Sequence, residues 1–135
     1  MRPKVSVVIA AHNHAHFLPE CLGSVRAQTY QDYEVIIVDN GSTDGTREYL
    51  SQVSEKIKTI LLGKNYGIAG YNKGFEIARG DVIIVLDDDS HIEVGTILRV
   101  MDKFLNEQNV GIIAFKIVDK SGLRFSTWHI PPDDT

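Results

Sequence analysis

Four short runs of β-branched and aliphatic residues recur along this chain, each ended by a polar, turn-forming cluster and separated by segments of helical period. The runs at 5–10, 34–38, 58–62 and 81–86 read as strands, each apolar enough to be expected buried on both faces. Strands of that kind belong to a parallel sheet. A first helix is expected to start near Phe17, to tolerate Pro19 in its opening turn, to bury Leu18, Leu22 and Val25, and to end around Gln28. A second follows "GSTDG", where Ser42, Thr43 or Asp44 can cap free amides, and runs to about Val53. The third, 67–78, carries an apolar stripe (Ile68, Tyr71, Phe75, Ala78) beside a glycine stripe (Gly67, Gly70, Gly74). Each interior glycine costs about 1 kcal/mol relative to alanine, so something is expected to approach that backbone closely. A fourth helix, 94–106, is expected to bury Ile97, Leu98, Met101 and Leu105. Segments 110–118 and 123–128 flank "DKSG" as a hairpin, and the tail "PPDDT" reads as frayed.

Right-handed crossovers place such helices on both faces of the sheet, a three-layer α/β/α arrangement within one domain spanning 1–135. Length supports this, since 135 residues can bury a sizeable core. A net charge of −4 without a continuous basic face argues against nucleic acid as a partner. The lone Cys21 falls at helical spacing with Leu18, Leu22 and Val25 and reads as a buried structural thiol. The apolar run 5–11 is too short to span a bilayer, so no transmembrane segment is expected. The chain is placed in the cytoplasm, free or peripheral at the inner face of the membrane.

In parallel α/β sheets, ligands bind beyond the carboxyl ends of the strands. "HNHAH", "DNGSTDG", "GKNYG" and "DDDSH" follow the four strands in turn and therefore converge on one rim. Three successive carboxylates, Asp87, Asp88 and Asp89, repel one another unless a cation or a donor-rich ligand faces them. A solvated turn is the bland alternative. At this rim they supply the hard oxygen donors preferred by Mg²⁺ or Mn²⁺, an ion commonly shared with phosphate oxygens. Asp39 and Asn40, at the second strand tip, combine turn chemistry with a carboxylate and an amide that could pair with the edge of a pyrimidine base. His12, His14 and His16 alternate as transition-metal ligands could, although a helix beginning nearby would break that alignment. His91 is expected to be a surface histidine, within reach of a metal shell or a phosphate. The glycine stripe fits neither a P-loop nor the dinucleotide fingerprint; it suits close helix packing, with Asn65 and Asn72 as alternative ligand contacts.

Taken together, "VSVVIAAHN", "CLGSVRAQTYQDYEVIIVDNGSTDGT" and "NYGIAGYNKGFEIARGDVIIVLDDD" resemble the nucleotide-binding half of the family-2 glycosyltransferases, the large inverting group with a Rossmann-like GT-A fold. The resemblance runs from about Lys4 to Ser90, with four motifs in order and spacing. "VGIIAFKIVDKSGLRFSTWHIPP" is similar, less closely, to the segment after the acidic motif in rhamnosyltransferase-like members. The resemblance implies a nucleotide diphosphate sugar donor of UDP, dTDP or GDP type. It implies an acceptor glycan or lipid-linked sugar, a role in cell-envelope polysaccharide synthesis and a divalent Mn or Mg cofactor. By position, Ala10, Ala11, His12 and Asn13 would line the base and ribose pocket and Asp39 and Asn40 would meet the base. Asp87 and Asp88 would face ribose or sugar, and Asp89 would hold the metal.

Two departures matter. Ala10-Ala11-His12 stands where the family usually shows Pro-Thr-Tyr or a similar series, and Asn40 replaces a frequent Asp, which leaves base identity open. No counterpart of the family's second-half acidic base occurs before Thr135. The catalytic base is therefore expected beyond this chain, which would be the donor-binding portion of a longer protein, with little transferase activity alone. A sugar nucleotidyltransferase would want a Gly-rich basic loop where "AAHNHAH" stands. A non-catalytic interaction module of the same fold, binding no nucleotide, is the remaining alternative, and dimerisation is left open.

Overall fold

The computed structural model describes residues 4–53 and 56–123. It divides into two compact units, Met1–Asp102 and Lys103–Thr135. In the first unit, strands β1 (Val5–Ala11), β2 (Tyr33–Asp39), β3 (Ile57–Leu61) and β4 (Val82–Asp87) form one sheet of order β3-β2-β1-β4. All three pairings are parallel, with Ala11 beside Asp39 and Ala10 beside Asp87 at the carboxyl ends. The order runs outward from β1 through β2 to β3, then reverses to place β4 on the other side of β1.

Helices α1 (Leu18–Arg26), α2 (Thr46–Gln52) and the first turns of α4 (Thr96–Asn106) contribute Leu18, Cys21, Leu22, Val25, Leu50, Ile97 and Met101 to the larger core, against Val5, Val7, Ile9, Val35 and Ile37. The opposite face carries a short 3-10 turn (Gly67–Gly70) and α3 (Tyr71–Ile77), which meet Val8 and Ile36. This gives the expected three layers. The glycine stripe is explained at Gly74, where an added Cβ would lie 2.4 Å from Val8 Cγ1 and 3.2 Å from Val38 Cγ2. Gly70 is likewise pressed against the Asn40 amide, with an added Cβ only 2.9 Å away.

Several expectations need correction. Only β1 and β2 are buried on both faces; Leu61, Ile83 and Val85 are exposed, because β3 and β4 are the outer strands of this sheet and α3 covers its middle. With Gly74 of α3 turned to the sheet, Ile68 is 87% exposed and Phe75 is also exposed, so of the apolar stripe Tyr71 is buried and Ala78 half-buried, and Gly67 is open to solvent with a left-handed φ of 58 rather than closely approached. On α4 the buried side is Ile97, Val100 and Met101, while Leu98 and Leu105 are exposed, since Leu98 stands one residue, about 100°, off the buried side. Residues 111–117 form no strand. In the second unit the Asp119 carboxylate instead organises a turn, accepting from Ser121 N and Leu123 N while Asp119 N donates to Leu123 O. Ile112 is 91% exposed, so 110–118 has no apolar face buried as a strand would need. The rest of the expected hairpin, beyond Leu123, and the tail lie outside the described residues.

No helix among the described residues is long and apolar enough to cross a membrane.

Candidate functional site

The rim is built where the strand order reverses, between the loops leaving β1 and β4, with the loops after β2 and β3 alongside. The first loop opens on Ala10 and Ala11 and turns at Asn13, the one non-glycine residue among those described with a left-handed backbone (φ 54). Its side chain explains the strain. Asn13 Oδ1 accepts from Thr43 N at 2.7 Å and Asp44 N at 3.3 Å, and Asn13 N donates to Ser42 Oγ, so this asparagine ties the first loop to the second. Asp44 completes the tie by accepting from Ala15 N and from Thr46 N and Oγ1. Burial raises the Asp44 carboxyl, but the hydrogen bonds from Thr46 and Ala15 outweigh it and leave the group below its ordinary range.

Asp39 is fully buried and binds Arg47 Nε at 2.6 Å, while Ser42 N donates to it from within the turn. Arg47 also reaches the Leu62 carbonyl. Asn40, also buried, uses both atoms of its amide on the third loop: Tyr66 N donates to Oδ1 at 2.9 Å and Nδ2 donates to Gly67 O at 2.8 Å. The second and third loops touch at Gly41, where a φ of +72 and the 2.5 Å that would separate an added Cβ from Lys64 C exclude any side chain. His12 closes the first loop onto the second by donating Nδ1–H to Asn40 O at 2.9 Å.

The acidic triplet is not a single cluster. Asp87 is exposed and accepts from the Tyr71 hydroxyl at 2.7 Å. Burial first, and then this bond to Asp87, pushes the Tyr71 phenol upward, so it stays a donor. Asp88 is buried at 6% exposure, accepting His12 N at 3.0 Å on one oxygen and His14 Nδ1 at 2.8 Å on the other. Asp89 is exposed, and no described residue bonds to it. The hydrogen bond to Asp88 raises the His14 pKa, helped by the charges of Asp88, Asp89 and Asp44 and opposed by burial. Ser90 N bonds back to Asp87 O, closing the triplet into a turn. Behind it, Ser24 and Gln28 of the α1 region anchor the following segment, through Ser24 Oγ to Ile92 N and Gln28 to Glu93 O and Ile97 N. Cys21 is buried, as expected; desolvation above all, with the three aspartates, pushes its thiol up to about 12.

A cleft of about 450 Å³ opens beside β4 on the α3 side, lined by Ile68, Ala69, Tyr71, Asn72, Phe75, Val85 and Asp87. Of the residues expected at the site, Asp87 and Asn72 line it. Ala10, Ala11, His12, Asn13, Asp39, Asn40 and Asp88 belong to the adjoining rim on the β1 and β2 side. Asn65 holds its own loop by accepting from Gly67 N, and His91 is exposed. Among the described residues no three His, Cys, Asp or Glu side chains converge as a metal site on their own. The alternating histidines are split: His12 and His14 face inward partners, and His16 packs on Phe17 with ring centroids 4.0 Å apart and planes tilted by 41°. A divalent ion therefore fits only in the shared manner, with one or two exposed carboxylates completed by phosphate oxygens and water. Sequence reasoning missed Tyr71 as a polar partner, Arg47 as the counter-ion of Asp39, and the engagement of His14; none carries a local signature, since each acts across the fold.

These features define a parallel α/β domain whose ligand rim is lined with carboxylates at the reversal of strand order. The sequence model of "Glycosyl transferase family 2" matches residues 6–133, and the chain belongs to that family. An uncharacterized glycosyltransferase of Nostoc sp. (strain PCC 7120) is 36% identical over 114 residues, 82% of this chain and 35% of its own length. Among solved structures, S. aureus TarS 1-349 in complex with UDP-GlcNAc superposes with a TM-score of 0.72 at 25% identity, covering 78% of this chain and 32% of that one. The mannosyltransferase PcManGT from Pyrobaculum calidifontis, in complex with GDP-Man and Mn²⁺, gives 0.71 at 26% identity over 82% of this chain and 34% of that one. The fold is thus of GT-A type, and the chain spans about a third of the length of these proteins.

Proposed function

We propose that this chain binds the nucleotide diphosphate sugar from which a glycosyl group is transferred with inversion to an acceptor hydroxyl. The observation that carries the reading is the partition of the triplet: Asp88 turns inward, leaving Asp87 and Asp89 exposed at the reversal point. Two exposed carboxylates two residues apart on one turn are tolerable when a cation sits against them. The family match supports this, as do structural neighbours solved with UDP-GlcNAc and with GDP-Man and Mn²⁺.

In this reading Asp89 holds the divalent ion, Asp87 lies beside the sugar or ribose with its orientation fixed by Tyr71, and Asn72 reaches the same ligand from the cleft wall. The base lies along the backbone of Ala10, Ala11, His12 and Asn13. Asp39 and Asn40 meet the base from the pocket's second loop, Asp39 held by Arg47 and the Asn40 amide by the 66–67 turn, each with hydrogen-bonding capacity left over. When bound, the ion would offset charge developing on the departing diphosphate. The acceptor oxygen would form a bond to the anomeric carbon as the opposite carbon–oxygen bond breaks, and the electron pair would leave on the diphosphate. A base outside the residues assigned here would receive the hydroxyl proton.

Calorimetric titration of the chain with UDP, dTDP and GDP, each with and without Mn²⁺, tests this. The expected result is binding of one nucleotide that strengthens with Mn²⁺ and loses that gain in Asp89→Ala. Absence of binding to all three in the presence of Mn²⁺ would refute it and leave a non-catalytic module.

A further inference from the structure

Asp88 has the sequence of a ligand contact and the surroundings of a structural group. We propose that His14 and Asp88 form a latch that positions the acidic rim: His14 holds the Asp88 carboxylate inward, and thereby sets the turn that presents Asp89. The inference rests on the donor-binding reading and assigns His14 as a positioning residue of that site.

The geometry is specific. His14 Nδ1 and His12 N take one oxygen each, at 2.8 and 3.0 Å, so both carboxylate oxygens are engaged from the same loop. The turn from Asp87 to Ser90 is closed by Ser90 N on Asp87 O, which makes Asp88 and Asp89 its two central residues. Fixing the first central side chain inward restricts where the second can point. The loop that supplies the donors is itself anchored, through Asn13 to Thr43 and through Ala15 to Asp44. His14 is further confined by Phe17, whose ring stands edge-on at 5.5 Å, and by His16 at 6.2 Å. The latch thus spans the point where strand order reverses, joining the loop proposed for the base to the carboxylates proposed for the ion. Released, Asp88 would bring a third negative charge toward the other two and loosen both loops together.

The test separates donor geometry from bulk. Asparagine places its Nδ2 donor where histidine carries Nδ1, whereas alanine offers none. With UDP or GDP plus Mn²⁺ as probe, whichever the wild type binds, His14→Ala is expected to weaken affinity about tenfold, the effect of one hydrogen bond to a charged group. His14→Asn is expected to stay within about threefold of wild type, less than the loss of a full bond. Asp88→Leu, which keeps comparable volume but accepts from neither donor, should lose at least as much affinity as His14→Ala, and combining the two should add little. Thermal unfolding without ligand accompanies each variant. The latch is overturned if His14→Ala binds as wild type does, if His14→Asn binds as poorly as His14→Ala, or if the two losses simply add. A wild type that binds no nucleotide with Mn²⁺ overturns the donor reading first, and the latch with it.

Discussion

Adding one methyl group at two helical glycines should have opposite effects, and the difference can be worked out from their surroundings. Gly23 lies within α1 with nothing within 4 Å of an added Cβ, so Gly23→Ala should stabilise the chain by ~0.5–1 kcal/mol through helix propensity alone. Gly74 lies within α3, and its added Cβ would stand 2.4 Å from Val8 Cγ1. Carbon atoms rest at about 3.5–4.0 Å, so roughly 1 Å of overlap must be relieved. Neither partner yields readily: Val8 and Val38 are fully buried, and valine is stiff at χ1. Overpacking of this kind costs ~1–3 kcal/mol, of which the propensity gain offsets about 1, leaving Gly74→Ala destabilised by ~0–2 kcal/mol, centred near 1. Urea unfolding followed by circular dichroism should separate the two variants by roughly 2 kcal/mol in opposite directions from wild type. Val8→Ala makes room at the contact, so in the Gly74→Ala background it should cost less than in wild type by about 1 kcal/mol. If Gly74→Ala proves as stable as Gly23→Ala, or if Val8→Ala costs the same in both backgrounds, the packing explanation of the glycine stripe is wrong.

Two further outcomes follow from single buried groups. Asn40→Asp restores the residue frequent in the family but replaces the donor to Gly67 O with a carboxylate; it should destabilise the chain by ~1–3 kcal/mol near neutral pH, measured by urea unfolding, and the deficit should shrink in acid as the new group protonates. At the amino ends of the strands, burial raises the Glu34 carboxyl, but Lys58, Ser6 and Arg79 N outweigh it and hold it below its ordinary 4.5. A depressed folded value means stability fully present above pH 4.5 and lost as pH falls through the lower folded value; Glu34→Gln should flatten that part of the wild-type pH–stability curve without changing nucleotide affinity at neutral pH.

The parallel sheet, its four helices and the rim of loops were legible because apolar runs and capping clusters are local signals. The glycine stripe was legible as a need for close approach, although not as Val8 and Val38. Other features were set by strand order, which no local pattern carries. A continuous apolar run reads the same in a central strand and in β4, yet Ile83 and Val85 are exposed while Val7 and Ile9 are not. Asn40 and Asp39 read as ligand groups because their partners, Tyr66, Gly67 and Arg47, become neighbours only in the folded chain. The partition of the triplet was not legible either, because the run before it is apolar throughout; the turn closed by Ser90 N on Asp87 O, with His12 N and His14 on Asp88, decides which carboxylate faces inward. Three identical side chains thereby acquire different partners: a phenol for the first, a histidine and a backbone amide for the second, and none among the described residues for the third. The mutual repulsion that made the triplet conspicuous is thus reduced by the fold itself, which leaves Asp87 and Asp89 as the outward pair.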